Sequence, residues 1–194
     1  MRVIAGSLRR RPLTAPTGLR LRPSSDALRE TLFNIIGPEV AGGVFVDAYA
    51  GTGAVGIEAL SRGAARVVFI ERDREALQAL RSNLRALALL QDAAVHVLPI
   101  DVARALPQLT RDPAMQGGAT VIFLDPPYAA ATEYARTLDA LGRGSSLVGT
   151  ATRVIAEHAA RSPLAAAFGE LRLVRSVSLG DSALSFFARQ RATP

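Results

Sequence analysis

The sequence predicts an α/β protein: a doubly wound, mostly parallel seven-stranded sheet, with an antiparallel C-terminal edge and a small basic N-terminal hairpin-and-helix extension. Three observations carry this. Short, uniformly apolar runs alternate with amphipathic helical stretches, the pattern of parallel strands covered on both faces. A glycine-rich loop joins the first of these strands to the helix after it. The last two apolar runs are separated by Gly180-Asp181, which reads as a hairpin turn.

Taken in order, residues 2–5 are short and apolar, and 12–22 is punctuated by Pro12, Pro16 and Gly18. This predicts two short strands or a hairpin, then a loop. Ser24 and Ser25 supply an N-cap. Leu28, Leu32, Ile35 and Ile36 then fall on one face, predicting a helix over 25–36 stopped by Gly37-Pro38. The extension is expected to end there, dividing the chain into an arm, 1–37, and a body, 38–194. In the body, 44–46 reads as a buried strand, 54–62 as a helix ended by Gly63, and 66–71 as a Val/Ile-rich strand. Asp73 caps a helix striped by Leu77, Leu80, Leu84 and Leu87. Residues 95–98 form a strand and 102–109 a short helix. Gly117-Gly118 is a turn, and 121–124 is the most apolar strand. A helix over 131–141, a strand over 153–157 and strands at 171–178 and 183–188 complete the order.

The chain has 194 residues, 49% hydrophobic, ample for a buried core and too apolar for disorder. No run of 18 apolar residues exists, so no membrane span is expected. No apolar segment follows Met1, and Gly6, Pro12, Pro16 and Gly18 would break a transit helix, so a targeting peptide is not expected. The absence of cysteine excludes disulfides, Cys-ligated metal and thiolate nucleophiles. His96 and His158 read as packing or surface residues, and no metal site is expected. All 23 basic residues are Arg. The charge is uneven: residues 1–30 hold seven Arg against two acids, nearly the whole net charge of +6. A basic arm on a near-neutral body points to a polyanion partner.

Gly51-Thr52-Gly53-Ala54-Val55-Gly56 matches G-x-G-x-x-G, follows a strand and opens a helix; Glu71 ends the next strand. The pattern fits dinucleotide binding, and an NAD-dependent oxidoreductase is one reading. Asp47 opposes it. A pyrophosphate on this loop would meet that carboxylate, at about 4 kcal/mol per unit charge for a separation of about 4 Å near a protein surface. S-adenosylmethionine (SAM) carries an ammonium and a sulfonium and no phosphate, so an acid beside the loop favours it. The glycines let the backbone pass close under such a ligand. Ligands bind at the carboxyl ends of parallel strands. There Glu71 can accept both ribose hydroxyls, and Asp101 can accept from the adenine amine.

Asp125-Pro126-Pro127-Tyr128 closes the most apolar strand and so lies on the same rim. Two prolines fix two φ angles and remove two N–H donors. The Asp125 carboxylate and the Pro126 carbonyl remain, a rigid pair of acceptors suited to an amino group. Held this way, the nitrogen lone pair turns out of ring conjugation toward an electrophile. Tyr128 offers a face for a base to stack on, worth about 1–3 kcal/mol.

Residues 46–53 (Val-Asp-Ala-Tyr-Ala-Gly-Thr-Gly) followed by this tetrapeptide resemble a class I, Rossmann-like SAM-dependent amino-methyltransferase. Residues 22–26 (Arg-Pro-Ser-Ser-Asp), 29–35 (Arg-Glu-Thr-Leu-Phe-Asn-Ile), 56–64, 123–128, the opening Met1–Gly6 and Gly180–Leu184 resemble more closely the bacterial 16S rRNA guanine-N2 methyltransferase family. The likeness spans nearly the whole chain; 104–120 and 142–170 carry little motif. It implies a cytoplasmic enzyme transferring one methyl group from SAM to the exocyclic N2 of a guanine in 16S rRNA, within an assembling small ribosomal subunit, with no metal and no obligate protein partner. Asp47, Tyr49, Gly51, Gly53, Glu71 and Asp101 would bind SAM, and Asp125, Pro126, Pro127 and Tyr128 would hold the base. Arg2, Arg9, Arg10, Arg11, Arg20 and Arg22 would meet RNA phosphates. The target base must be unpaired or flipped out to reach the rim. A DNA adenine-N6 methyltransferase shares the tetrapeptide and is the alternative enzyme, though the chain lacks an obvious target-recognition domain. A non-catalytic RNA-binding protein on the same fold would have no need of the acceptor pair.

Overall fold

The computed structural model describes residues 1–15, 26–127 and 131–190. Ser24, Ser25, Arg20, Arg22 and Tyr128, all singled out above, lie outside the described residues. Helix α1 (Asp26–Val40) precedes β1 (Val44–Ala48), α2 (Ala54–Ser61), β2 (Arg66–Ile70), α3 (Arg74–Ala86), β3 (Val95–Leu98), α4 (Val102–Arg111), β4 (Val121–Leu124), α5 (Ala131–Gly142) and β5 (Arg153–Ala159). Strands β6 (Ala167–Phe168), β7 (Leu171–Leu179) and β8 (Ser182–Arg189) follow. They form one sheet in the order β3-β2-β1-β4-β5-β8-β7-β6. β1 to β5 run parallel, and β8, β7 and β6 form the antiparallel edge.

Among the described residues the sheet has eight strands, not the seven expected. The extra one, β6, is two residues long, too short for any periodicity to register. Helix α1 also differs, running through Gly37-Pro38 to Val40. Pro38 has no N–H to bond back to the Asn34 carbonyl, so this turn forgoes a hydrogen bond. Val40 continues the buried stripe of Leu32 and Ile36 and anchors that turn in the core.

Side-chain alternation along the strands divides the core in two. Phe45, Val67, Phe69, Val121, Phe123 and Ile155 face α1, α2 and α3, whereas Val46, Ala48, Val68, Ile70, Ile122 and Leu124 face α4 and α5. Asp47 stands between Val46 and Ala48, so its side chain falls on the α2 side. Asp73 caps α3 as expected, accepting from the Glu75 and Ala76 N–H groups. His158 is buried with its ring bonded to Ser185 Oγ at 2.8 Å.

The N-terminal extension is a hairpin laid on α2. Arg2 and Pro12 form an antiparallel bridge, and Val3 N–H and Leu13 N–H donate to Arg11 O and Met1 O. The fully buried Glu58 accepts from Ile4 N–H (2.7 Å), Ala5 N–H (3.0 Å) and Arg62 Nε (2.7 Å). Ser61 Oγ accepts from Leu8 N–H at 2.9 Å and donates to Ala5 O. Val3, Leu13, Leu28, Leu32 and Phe33 belong to the same apolar cluster as Phe45 and Ile57. The described part of the extension, residues 1–15 and α1, is therefore packed on the body.

Candidate active site

From β1 the chain winds out through β2 to β3; β4 and β5 lie on the other side of β1. The winding reverses between β1 and β4, and in such sheets the ligand crevice lies at the carboxyl ends of that strand pair. Asp47 pairs with Phe123 and Ala48 with Leu124. The loop after β1 and Asp125 after β4 therefore leave the sheet side by side.

The loop is held by carboxylates. Asp47, 2% exposed, accepts the Gly56 N–H at 2.8 Å. Burial pushes its pKa up to about 8, with the Gly56 N–H pulling down and the nearby Glu71 charge adding to the rise. Glu71 Oε2 accepts the Gly51 N–H at 2.7 Å, and Oε1 accepts Asp73 N–H at 2.8 Å. Each Glu71 oxygen keeps a lone pair for a ligand hydroxyl. Two N–H groups of the loop and α2, which a pyrophosphate would need, are thus already paired with acids. The electrostatic argument against a dinucleotide stands, but it shifts: near neutral pH Asp47 is largely protonated without a cation beside it, and Glu71 becomes the acid at the loop.

The glycines also answer a packing requirement. A Cβ on Gly53 would lie 2.3 Å from Leu80 Cδ1, and one on Gly56 2.3 Å from the Phe69 ring. Both positions need the missing side chain for α2 to pack closely on β2 and α3. Gly51 and Gly53 also hold φ of 56° and 81°.

Tyr49, expected at the cofactor, takes φ 67° and turns its hydroxyl to α5, 2.7 Å from Thr137 Oγ1 and 3.1 Å from Glu133 Oε2. Burial raises its pKa to about 12, so it stays a neutral strut between the loop and α5. Asp101 lies on the rim beyond β3. It caps α4 through Ala103 N–H (2.8 Å) and binds Arg72 (2.7 Å) and Arg136 (3.1 Å). It is a cap and ion-pair centre with one lone-pair position to offer.

Asp125 is half-buried, Pro126 buried and Pro127 exposed. The Tyr134 hydroxyl lies 3.5 Å from the Pro126 carbonyl and donates at 2.8 Å to Glu157 O. At 3.5 Å the first contact is not a real hydrogen bond, so the Pro126 oxygen keeps its accepting capacity. On the arm, Arg2, Arg9 and Arg10 are exposed. Arg11 is exposed as well and donates from Nη2 to Ala86 O at 2.8 Å at the C-terminal end of α3, a bond that leaves its charge in place. Among the described residues no cluster of three or more His, Asp or Glu could hold a metal, and no helix is long and apolar enough to cross a membrane.

One residue escaped the sequence reading. Asn83 is 2% exposed on α3, with its carboxamide on backbone groups of Thr14 and Thr52. The signal was present: a polar residue inside the stripe Leu80, Leu84, Leu87.

A reversed parallel sheet with an acid-anchored glycine loop facing an Asp-Pro corner defines the class I SAM-dependent methyltransferases. Solved structures agree: yhhF from Escherichia coli, provisionally named a methyltransferase, superposes with TM-score 0.78 at 30% identity over 99% of both chains. The hypothetical protein TTHA0928 of Thermus thermophilus gives 0.78 at 30% identity over 96% of this chain and 98% of its own. The model for the family Conserved hypothetical protein 95 matches residues 1–188, and the chain belongs to that family. YlbH of Bacillus subtilis (strain 168), provisionally named an rRNA methyltransferase, is 35% identical over 98% of this chain and its own full length. Ribosomal RNA small subunit methyltransferase D of Escherichia coli (strain K12) is 38% identical over 66% of this chain and 60% of its own.

Proposed function

We propose that this chain transfers the methyl group of SAM to the exocyclic N2 of a guanine in 16S rRNA, on an assembling small subunit in the cytoplasm. Methylation of rRNA is the activity of these relatives by name, provisionally so for YlbH; neither NAD chemistry nor DNA methylation finds support among them. The observation that carries the finer reading is the adjacency of Asp125-Pro126 and the β1 loop at the reversal of the sheet. When bound, SAM supplies an electrophilic methyl carbon on a sulfonium leaving group. Glu71 offers its free lone pairs to the ribose, and Asp47, ionised by the nearby positive charge, balances it. The Asp125 carboxylate and Pro126 carbonyl hold the two N–H bonds of the guanine amine, aiming its lone pair at the methyl carbon. Asp125 would take up the amine proton displaced on methyl transfer, directly or by way of solvent. Alignment supplies most of the acceleration. The arm, 1–37, positions the RNA through phosphate contacts of Arg2, Arg9, Arg10, Arg11, Arg20 and Arg22, and Tyr128 stacks on the target base.

The test is methyl transfer from radiolabelled SAM to undermethylated small subunits, with the product nucleoside identified by mass. Asp125→Ala is expected to fold, bind SAM and lose transfer by about 10²-fold or more; near-normal turnover by this variant overturns the mechanism.

A further inference from the structure

We infer that Asn83 is a positioning residue that couples RNA held by the arm to the cofactor loop, an inference resting on the rRNA methyl-transfer reading above. The Asn83 carboxamide is buried and makes three bonds. Oδ1 accepts Thr14 N–H at 2.8 Å, and Nδ2 donates to Thr14 O and to Thr52 O, each at 3.0 Å. Both amide protons are committed, so no water is needed to satisfy the group.

Asn83 reads Thr14 as a neighbouring strand would, through both its N–H and its C=O. It therefore fixes the backbone at Thr14, six residues before Arg20 and eight before Arg22 in the sequence. The same nitrogen holds the carbonyl of Thr52, between Gly51 on Glu71 and Gly53 at the start of α2. No other side chain among the described residues joins arm and loop by hydrogen bonds to both backbones. Displacing Thr14 would leave a buried acceptor and a buried donor of Asn83 unpaired and would loosen the hold on Thr52. Holding Thr14 in place keeps the Asn83 carboxamide oriented on the Thr52 carbonyl. Because coupling between two sites is reciprocal, RNA that fixes the arm strengthens cofactor binding, and cofactor strengthens RNA binding by the same factor.

The experiment measures the dissociation constant of S-adenosylhomocysteine, which cannot turn over, with and without unmodified 16S rRNA. For the unaltered protein the ratio is expected to be about fivefold or more. Asn83→Leu, of similar volume, is expected to bring it to within twofold of unity while the protein stays folded. A loss of packing alone would weaken each binding step without removing their mutual dependence. Thr14→Pro deletes a single N–H at an exposed position, and its ratio decides the matter if Asn83→Leu does not fold. A folded variant with the full ratio, or an unaltered protein binding both ligands with a ratio of one, overturns the coupling. An unaltered protein that binds neither ligand is instead the failure of the methyl-transfer reading.

Discussion

Asp47→Asn isolates a carboxyl that this fold buries beneath α2. With its pKa moved from 3.8 to about 8, the folded state holds a proton that the unfolded chain releases near pH 4. For such a group stability is greatest below about pH 4 and is lost as pH rises toward 8. Roughly 1.4 kcal/mol per pH unit gives a loss of about 4 kcal/mol between pH 5 and pH 8. For a domain of this size that is on the order of 10 °C in melting temperature. Asparagine keeps the shape, and its Oδ1 still accepts the Gly56 N–H, but it cannot titrate. Denaturant unfolding of both ligand-free proteins at pH 5 and pH 8 separates this group from the rest, whose contributions cancel in the difference. The unaltered protein is expected to lose about 4 kcal/mol more than Asp47→Asn across that range. SAM binding near pH 7 is expected to release a proton, visible as a dependence of binding heat on buffer ionisation, and the variant is expected to release none. Equal losses for the two proteins would refute the assignment of a neutral Asp47.

Gly56→Ala drives a methyl against the buried Phe69 ring and Val67 and is expected to cost about 1–3 kcal/mol. Thermal melts measure it, and a variant as stable as its parent would show that the α2–β2 contact has slack. Arg9→Glu with Arg10→Glu is expected to weaken 16S rRNA binding and lower the salt slope by about 1.5–2, as for two phosphate contacts. Titrations at several salt concentrations test this, and an unchanged slope would remove the hairpin from the RNA footprint.

Much of this was legible in the sequence. Apolar strands and capped helices reveal themselves by period and by residues such as Asp73, and a shared rim for the β1 loop and the β4 corner followed from alternation; their adjacency needed the strand order. Illegible were effects that depend on what lies opposite. The packing demand on the glycines at 53 and 56 was hidden because Leu80 and Phe69 come from elsewhere in the chain. Asp47 read as charged because burial is a tertiary property. The bond from Arg11 to the end of α3 spans 75 residues and leaves no local trace. Asn83 carried its own signal, a polar residue on an apolar stripe, and its meaning depended on Thr14, which is 69 residues away.

The order of strands has a consequence for biosynthesis. β5 pairs on its outer side with β8, and not with the segments made directly after it. From the moment residues 153–159 emerge from the ribosome until 182–189 follow, a seven-residue strand whose side chains are mostly destined for burial presents bare amide and carbonyl groups to its surroundings. Such an edge is the natural point of capture for chaperones, and of mispairing between nascent chains on neighbouring ribosomes.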